Sequence, residues 1–160
     1  MPSHNNQAAQ RDVPRDRVGT QGPLKGMNRI LIVDDEPDHR LVLRTMLEGS
    51  GYACEEARNG IEALEVLEGI DVNVVLTDLQ MPRMDGLQFA ERMAAHATFK
   101  SIPIIIVTSQ TLDLIQPVGG KNNIFMMLSK PYEWTKVFRA VARAFEIIEH
   151  APREVSLVGT

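Results

Sequence analysis

The chain has 160 residues, enough for one ordinary domain with a proper core and too few for two. Its 44 % hydrophobic and 24 % charged residues suit a globular protein, and no stretch approaches the ~18 apolar residues of a membrane span or the apolar core of a signal peptide. A net charge of −4 lacks the basic excess of a general nucleic-acid binder, and the single cysteine, Cys54, excludes an internal disulfide and any multi-cysteine metal site. The expectation is a cytoplasmic protein with no membrane insertion and no nucleic-acid partner.

Residues 1–27 carry Gln, Asn, Arg, Pro and Gly with few large apolar side chains, too few to offset the entropy of ordering them. They are predicted to be a disordered extension, with Arg11, Arg15 and Arg17 solvated, and Met27 is a second candidate for the true start. Order is predicted from Asn28. The run Ile30-Leu31-Ile32-Val33 reads as a strand buried on both faces. Pro37 is a good first helical residue; Leu43, Met46 and Leu47 follow at helical spacing, and Gly49 and Gly51 end that helix. Residues 52–57 alternate weakly, as an outer strand does, and hold Cys54, expected to be an unreactive thiol. Asn59-Gly60 reads as a turn, after which Ile61, Ala63, Leu64 and Leu67 mark a short helix.

Residues 72–77 form a second buried strand, 86–97 a helix through Leu87, Ala90 and Met93, and 102–107 the most apolar strand. A helix over 111–118 is interrupted by Pro117 and followed by Gly119-Gly120. Residues 124–128 are a fifth strand. Trp134, Val137, Phe138, Val141, Phe145 and Ile148 then trace one helical stripe, and 151–160 are a short tail. Alternating strands and helices predict βαβ units: a doubly wound parallel sheet over residues 28–150, with helices on both faces.

In such a sheet ligands bind beyond the carboxyl ends of the strands. The predicted strands run into Asp34-Asp35, Asp78, Thr108-Ser109 and Ser129-Lys130-Pro131. Gathered carboxylates repel unless a cation sits among them, and an all-oxygen set suits a hard ion such as Mg²⁺. A carboxylate can attack a phosphoryl donor, and the transferring group then needs a metal, a Lys and hydroxyl or N–H donors to balance its charge. Singly, each residue has an ordinary explanation: Asp35, Thr108 or Ser109 as a helix cap, Asp78 as a turn-former before Met81-Pro82, Lys130 as a loop residue. Together at the ends of one sheet they make a coherent site. The four histidines show no metal-ligand spacing and are expected at the surface, away from the candidate nucleophile.

Four ordered segments carry a specific likeness: Ile30-Leu31-Ile32-Val33-Asp34-Asp35-Glu36-Pro37; Thr77-Asp78-Leu79-Gln80-Met81-Pro82-Arg83-Met84-Asp85-Gly86; Ile102-Pro103-Ile104-Ile105-Ile106-Val107-Thr108-Ser109; and Leu128-Ser129-Lys130-Pro131. Over about residues 28–148 the chain resembles the receiver domain of two-component response regulators, the chemotaxis-regulator family. The resemblance implies a flavodoxin-like five-stranded sheet of order 2-1-3-4-5. It implies Asp78 as phosphoacceptor and Mg²⁺ held by Asp35, Asp78 and the Gln80 carbonyl, with Asp34 reaching the ion through water. Lys130 would pair with the phosphoryl oxygens, Thr108 would move to hydrogen-bond them, Ser109 would offer a backbone N–H, and Pro131 would follow a cis bond.

Gln80 and Gln110 would flank the path of attacking water. The family's aromatic three positions before the Lys is replaced by Met127, with Phe125 two residues further back, so the output is expected to act through the 110–127 region without an aromatic flip. By the same likeness the chain is expected to be a stand-alone receiver, not a conventional enzyme. Its phosphodonor would be a histidine kinase or histidine phosphotransfer protein, its downstream target an unspecified protein, and its state monomeric. A phosphorylation-independent binding module on the same fold is the alternative. A metal-dependent phosphatase is disfavoured because Gln80 stands where an Asp-x-Asp pair beginning at Asp78 would need its second carboxylate.

Overall fold

The computed structural model describes residues 28–110 and 123–150, and five short strands within them form one parallel sheet. In chain order the elements are β1 (Arg29–Val33), α1 (Pro37–Gly49), β2 (Ala53–Ala57), α2 (Gly60–Gly69), β3 (Val74–Asp78) and α3 (Gly86–Ala95). A single 3-10 turn (Phe99–Ser101), β4 (Ile104–Thr108), β5 (Ile124–Ser129) and α4 (Trp134–His150) complete them. The sheet order is β2-β1-β3-β4-β5, all parallel, as the family resemblance implies. The predicted N-terminal extension, the C-terminal tail and the helix expected over 111–118 lie outside the described residues.

Period-two alternation sorts the strand side chains into two cores. Ile30, Ile32, Val74, Leu76, Ile105 and Val107 point to the face covered by α1 and α4, meeting Leu43, Leu47, Val137, Val141 and Phe145. Leu31, Val33, Val75, Ile104 and Ile106 point to the other face, meeting Ala63, Leu67, Phe89 and Met93 of α2 and α3. The central strands are thus buried on both sides, which is why they read as continuous apolar runs.

Local chemistry fixes the element ends. Pro37 opens α1. Gly51, at φ 93°, turns the chain into β2 in a conformation that favours glycine. Asn59 and Gly60, expected as a turn, are instead the cap and first residue of α2: Asn59 Oδ1 accepts from the N–H groups of Ile61 and Glu62, both at 3.0 Å. Asp85 and Gln88 form a reciprocal capping box at the start of α3. Pro103, which has no N–H to give to a ladder, delays β4 to Ile104, and Asp78 and Thr108 close β3 and β4.

In β5 the register shifts between Ile104 and Ile105, so that Phe125 is an extra residue with no opposite partner. The bulge sends Phe125 to the α1/α4 face and Met127 to the α2/α3 face. Cys54 is buried in β2, and its thiol is pushed up to about 12, chiefly by burial, in agreement with an unreactive role. Among the described residues no helix is long and apolar enough to cross a membrane.

Phe89 is fully buried between the sheet and α2. Phe89→Ala is expected to cost about 3–5 kcal/mol in urea denaturation. Leu41→Ala, at a position 61 % exposed on α1, should stay within about 0.5 kcal/mol of the parent.

Candidate functional site

β1, β3, β4 and β5 deliver their last residues to one edge because the sheet is parallel and in register: Val33 pairs with Thr77, Asp78 with Val107, and Thr108 with Ser129. Asp34 follows β1 directly and is 2 % exposed. Its Oδ1 accepts from the Glu36 N–H at 2.9 Å, and its carbonyl accepts from Arg40 Nη1 at 2.6 Å. Asp35 is exposed, and the Ncap of α1 is Glu36, so Asp35 does not cap that helix. Asp78 ends β3 half-buried, with Oδ1 accepting from the Leu79 N–H at 2.7 Å. Carboxylate oxygens of Asp34, Asp35 and Asp78 lie within 4.8 Å of one another.

Gly86 sets the distance between α3 and this edge. Its N–H donates to the Leu79 carbonyl at 2.8 Å, and a Cβ there would collide with the carbonyl oxygen of Asp78 and stand 3.1 Å from Leu79 Cα. Only glycine allows the helix to start against the strand end that carries Asp78.

Lys130 supplies the counter-charge. Its Nζ is 3.4 Å from Asp78 Oδ2 and 3.6 Å from Asp34 Oδ2. Its backbone N–H donates to the Thr108 carbonyl at 2.7 Å, tying β5 to the end of β4, and the Lys130–Pro131 bond is cis. Thr108 is fully buried, and its Oγ1 accepts from the Gln110 N–H at 3.0 Å. A hydroxyl that accepts there still has its own proton to donate. Ser109, Gln110 and Gln80 are exposed beside the edge. Asp35, Gln80, Met81, Pro82, Leu87 and Gln110 line one groove of about 540 Å³.

Every residue predicted for the site therefore lies on or next to this edge except Met127, which packs beneath it in the α2/α3 core. His39, expected at the surface and 41 % exposed at its side chain, nevertheless reaches two residues of the site. Its Nδ1 is 3.4 Å from Lys130 Nζ and 3.5 Å from Asp34 Oδ2. Its position as the third residue of a helix begun by Pro37 was the available signal: the first turn of α1 starts beside the end of β1.

The electrostatics are unbalanced. Burial raises the Asp78 carboxyl above its ordinary value; the Asp34 charge adds to the rise, and Lys130 and the Leu79 N–H oppose it without cancelling it. Burial lowers the Lys130 ammonium, but Asp78 and Asp34 outweigh burial and hold it above its ordinary value. The donors fit a hard divalent cation: all are oxygens, three carboxylates converge, and one ammonium offsets them only in part.

Comparison with known proteins agrees with the geometry. Residues 30–142 match the family model described as the response regulator receiver domain. The chain is 32 % identical over 120 residues to the sensor histidine kinase CheAY of Helicobacter pylori, covering 74 % of this chain and 15 % of that protein. It is 36 % identical over 107 residues to the response regulator Rre1 of Synechocystis, covering 65 % of this chain and 46 % of that one. The match thus spans less than half the length of either relative. Among solved structures, the response regulator TrrA of Thermotoga maritima in complex with Mg²⁺–BeF superposes with a TM-score of 0.66 at 28 % identity, covering 74 % of this chain and 99 % of TrrA. The chemotaxis response regulator CheY4 of Vibrio cholerae gives a TM-score of 0.65 at 26 % identity, covering 74 % and 99 %.

Because the folded state binds the Asp78 proton more tightly than the unfolded chain does, ionised Asp78 costs stability at neutral pH. In a chelator at pH 7, Asp78→Asn is expected to be more stable than the parent by about 1 kcal/mol, the size of a typical single-site effect. That advantage should shrink as the pH falls through the raised folded value and vanish below the ordinary 3.8. Thermal melts of both proteins across that range check the sign.

Proposed function

The chain belongs to the response regulator receiver domain family; from that premise we propose that it accepts a phosphoryl group on Asp78 from a histidine kinase or histidine phosphotransfer protein. The observation that carries this reading is the convergence of Asp34, Asp35 and Asp78 at the carboxyl edge of the sheet, with Lys130 beside Asp34 and Asp78. A pure binding module has no need of so costly a cluster.

In the proposed reaction a carboxylate oxygen of Asp78 attacks the phosphorus of the donor phosphohistidine. A P–O bond forms, the P–N bond breaks, and the leaving imidazole keeps the electron pair and takes up a proton. Mg²⁺ held by Asp35, Asp78 and the Gln80 carbonyl, with Asp34 behind them, would supply charge neutralisation for the transferring group. Lys130, already 3.4 Å from Asp78 Oδ2, pairs with a phosphoryl oxygen. Thr108 turns its free proton to a second oxygen, and the Ser109 N–H meets the group from the loop beyond β4. Signalling to the downstream protein then follows from the changed contacts of this edge.

Incubating the purified protein with acetyl phosphate and Mg²⁺ should add one phosphoryl mass, and neither Asp78→Asn nor the chelated protein should gain it. A folded, Mg²⁺-binding protein that never gains the mass would support the phosphorylation-independent binding module instead.

Gln80 and Gln110 line the same exposed groove. Water reaching the acyl phosphate from this side would pass between their amides, which can hydrogen-bond it in place. Replacing both with Ala is expected to change the hydrolysis rate of the phosphorylated protein by about fivefold or more, the worth of one or two hydrogen bonds. An unaltered rate in a phosphate-release assay would remove these residues from the reaction.

A further inference from the structure

His39 is the third residue of α1, 41 % exposed at its side chain, and its ring turns towards the sheet edge. Nδ1 stands 3.4 Å from Lys130 Nζ, 3.5 Å from Asp34 Oδ2 and 3.2 Å from Glu36 Oε2. An ammonium has three N–H bonds and no lone pair. The described groups around Lys130 Nζ supply three acceptors for them: Asp78 Oδ2, Asp34 Oδ2 and His39 Nδ1.

These acceptors are not equivalent. A carboxylate offers two oxygens with broad lone-pair directions, so an ammonium can slide across it. An imidazole nitrogen offers one lone pair in the plane of its ring. It therefore fixes a direction as well as a distance. The same nitrogen stands within 3.5 Å of carboxylate oxygens of Asp34 and Glu36, which would accept from a proton on Nδ1, so the ammonium holds the ring only while Nδ1 keeps its lone pair.

We propose that His39 is a positioning residue for Lys130: its Nδ1 accepts one ammonium N–H and so aims the other two at Asp78 and Asp34. The inference rests on the phosphoacceptor reading above and adds to it a residue from the first turn of α1. This role requires the tautomer that carries its proton on Nε2, with Nδ1 free to accept. Lys130 would then arrive at the phosphoryl group already oriented, with part of the ordering cost met before the donor binds.

Two measurements test it. At about pH 8.5, where an ordinary imidazole is neutral, the side-chain ¹⁵N shifts of His39 should report the Nε2–H tautomer, and Lys130→Met should move the Nδ1 resonance downfield as its donor is lost. A proton on Nδ1, or a resonance indifferent to Lys130→Met, overturns the proposal whether or not the protein takes up phosphate. In the kinetic arm, His39→Leu with excess Mg²⁺ should be phosphorylated by acetyl phosphate about five- to tenfold more slowly at saturating donor, the worth of one hydrogen bond to a charged group. Half-saturation should be unchanged. His39→Asn, whose Oδ1 falls near the place of Nδ1, should recover most of the rate. Leu equal to the parent, or Asn as slow as Leu, overturns the proposal. A parent that never gains phosphate strikes the phosphoacceptor reading instead, and the ¹⁵N shifts still decide the role of His39.

Discussion

Three carboxylates converge at the carboxyl edge of the sheet with one ammonium, Lys130, beside two of them, and the neighbouring structure is arranged around that imbalance. Asp34 is almost fully buried, so its charge is held by hydrogen bonds rather than by water. Lys130 spans Asp34 and Asp78, and its single positive charge leaves Asp78 still raised above its ordinary value. Asp35 is exposed, and among the described residues no cationic side chain pairs with it. A fold selected for stability alone would dilute such charge with apolar contacts or pair each member of it. Here the negative excess is kept, in a place open to a cation and to an anionic group that brings one.

Keeping it requires a rigid edge. Four parallel strands end within a residue or two of the same level, and a slip of one residue would turn every strand side chain to the opposite core. Two short-range devices then fix the individual groups. The Gly86 N–H bonds the Leu79 carbonyl, with no Cβ to push α3 away from Asp78. The Lys130 N–H bonds the Thr108 carbonyl, so the ammonium and the buried hydroxyl move as parts of one backbone link. Stability and chemistry meet here: the two cores exist to bury apolar surface, and by doing so they hold mutually repelling groups in place.

Much of this was legible in the sequence because it depends on local pattern. Strands buried on both faces leave unbroken apolar runs, and the polar residues that break those runs are the ones delivered to the edge. Ile30 to Asp35 and Ile104 to Ser109 show both signals at once. What depends on pairing between distant segments was not legible. Asn59-Gly60 carries the chemistry of a turn and of a helix cap alike; the choice is made by α2 packing, where Gly60 lies against Met84 and Phe89. The bulge at Phe125 cannot be seen in β5 alone, since it exists only relative to β4. His39 looked like a surface histidine because its neighbours in sequence are polar. Its neighbours in space include Asp34, just past β1, and Lys130, just past β5 and 91 residues away along the chain.

The two faces of the sheet differ in kind as well as in membership. Tyr52, Phe125, Tyr132, Trp134, Phe138 and Phe145 gather on the α1/α4 face, with Tyr52 stacked on Phe145 at 5.3 Å. Met81 and Met84, from the loop that follows Asp78, gather with Met93 and Met127 on the α2/α3 face, which has only Phe89 and Phe99 as rings among its described members. A ring has a few discrete positions and resists repacking, whereas a thioether has three torsions and fills whatever space is left. Because the bulge turns Phe125 to the aromatic face, no ring from β5 stands under Thr108, and Met127 occupies the inner position opposite Ile106. Under the proposed phosphoryl transfer, a Thr108 that moves would therefore meet a thioether and not a ring from β5.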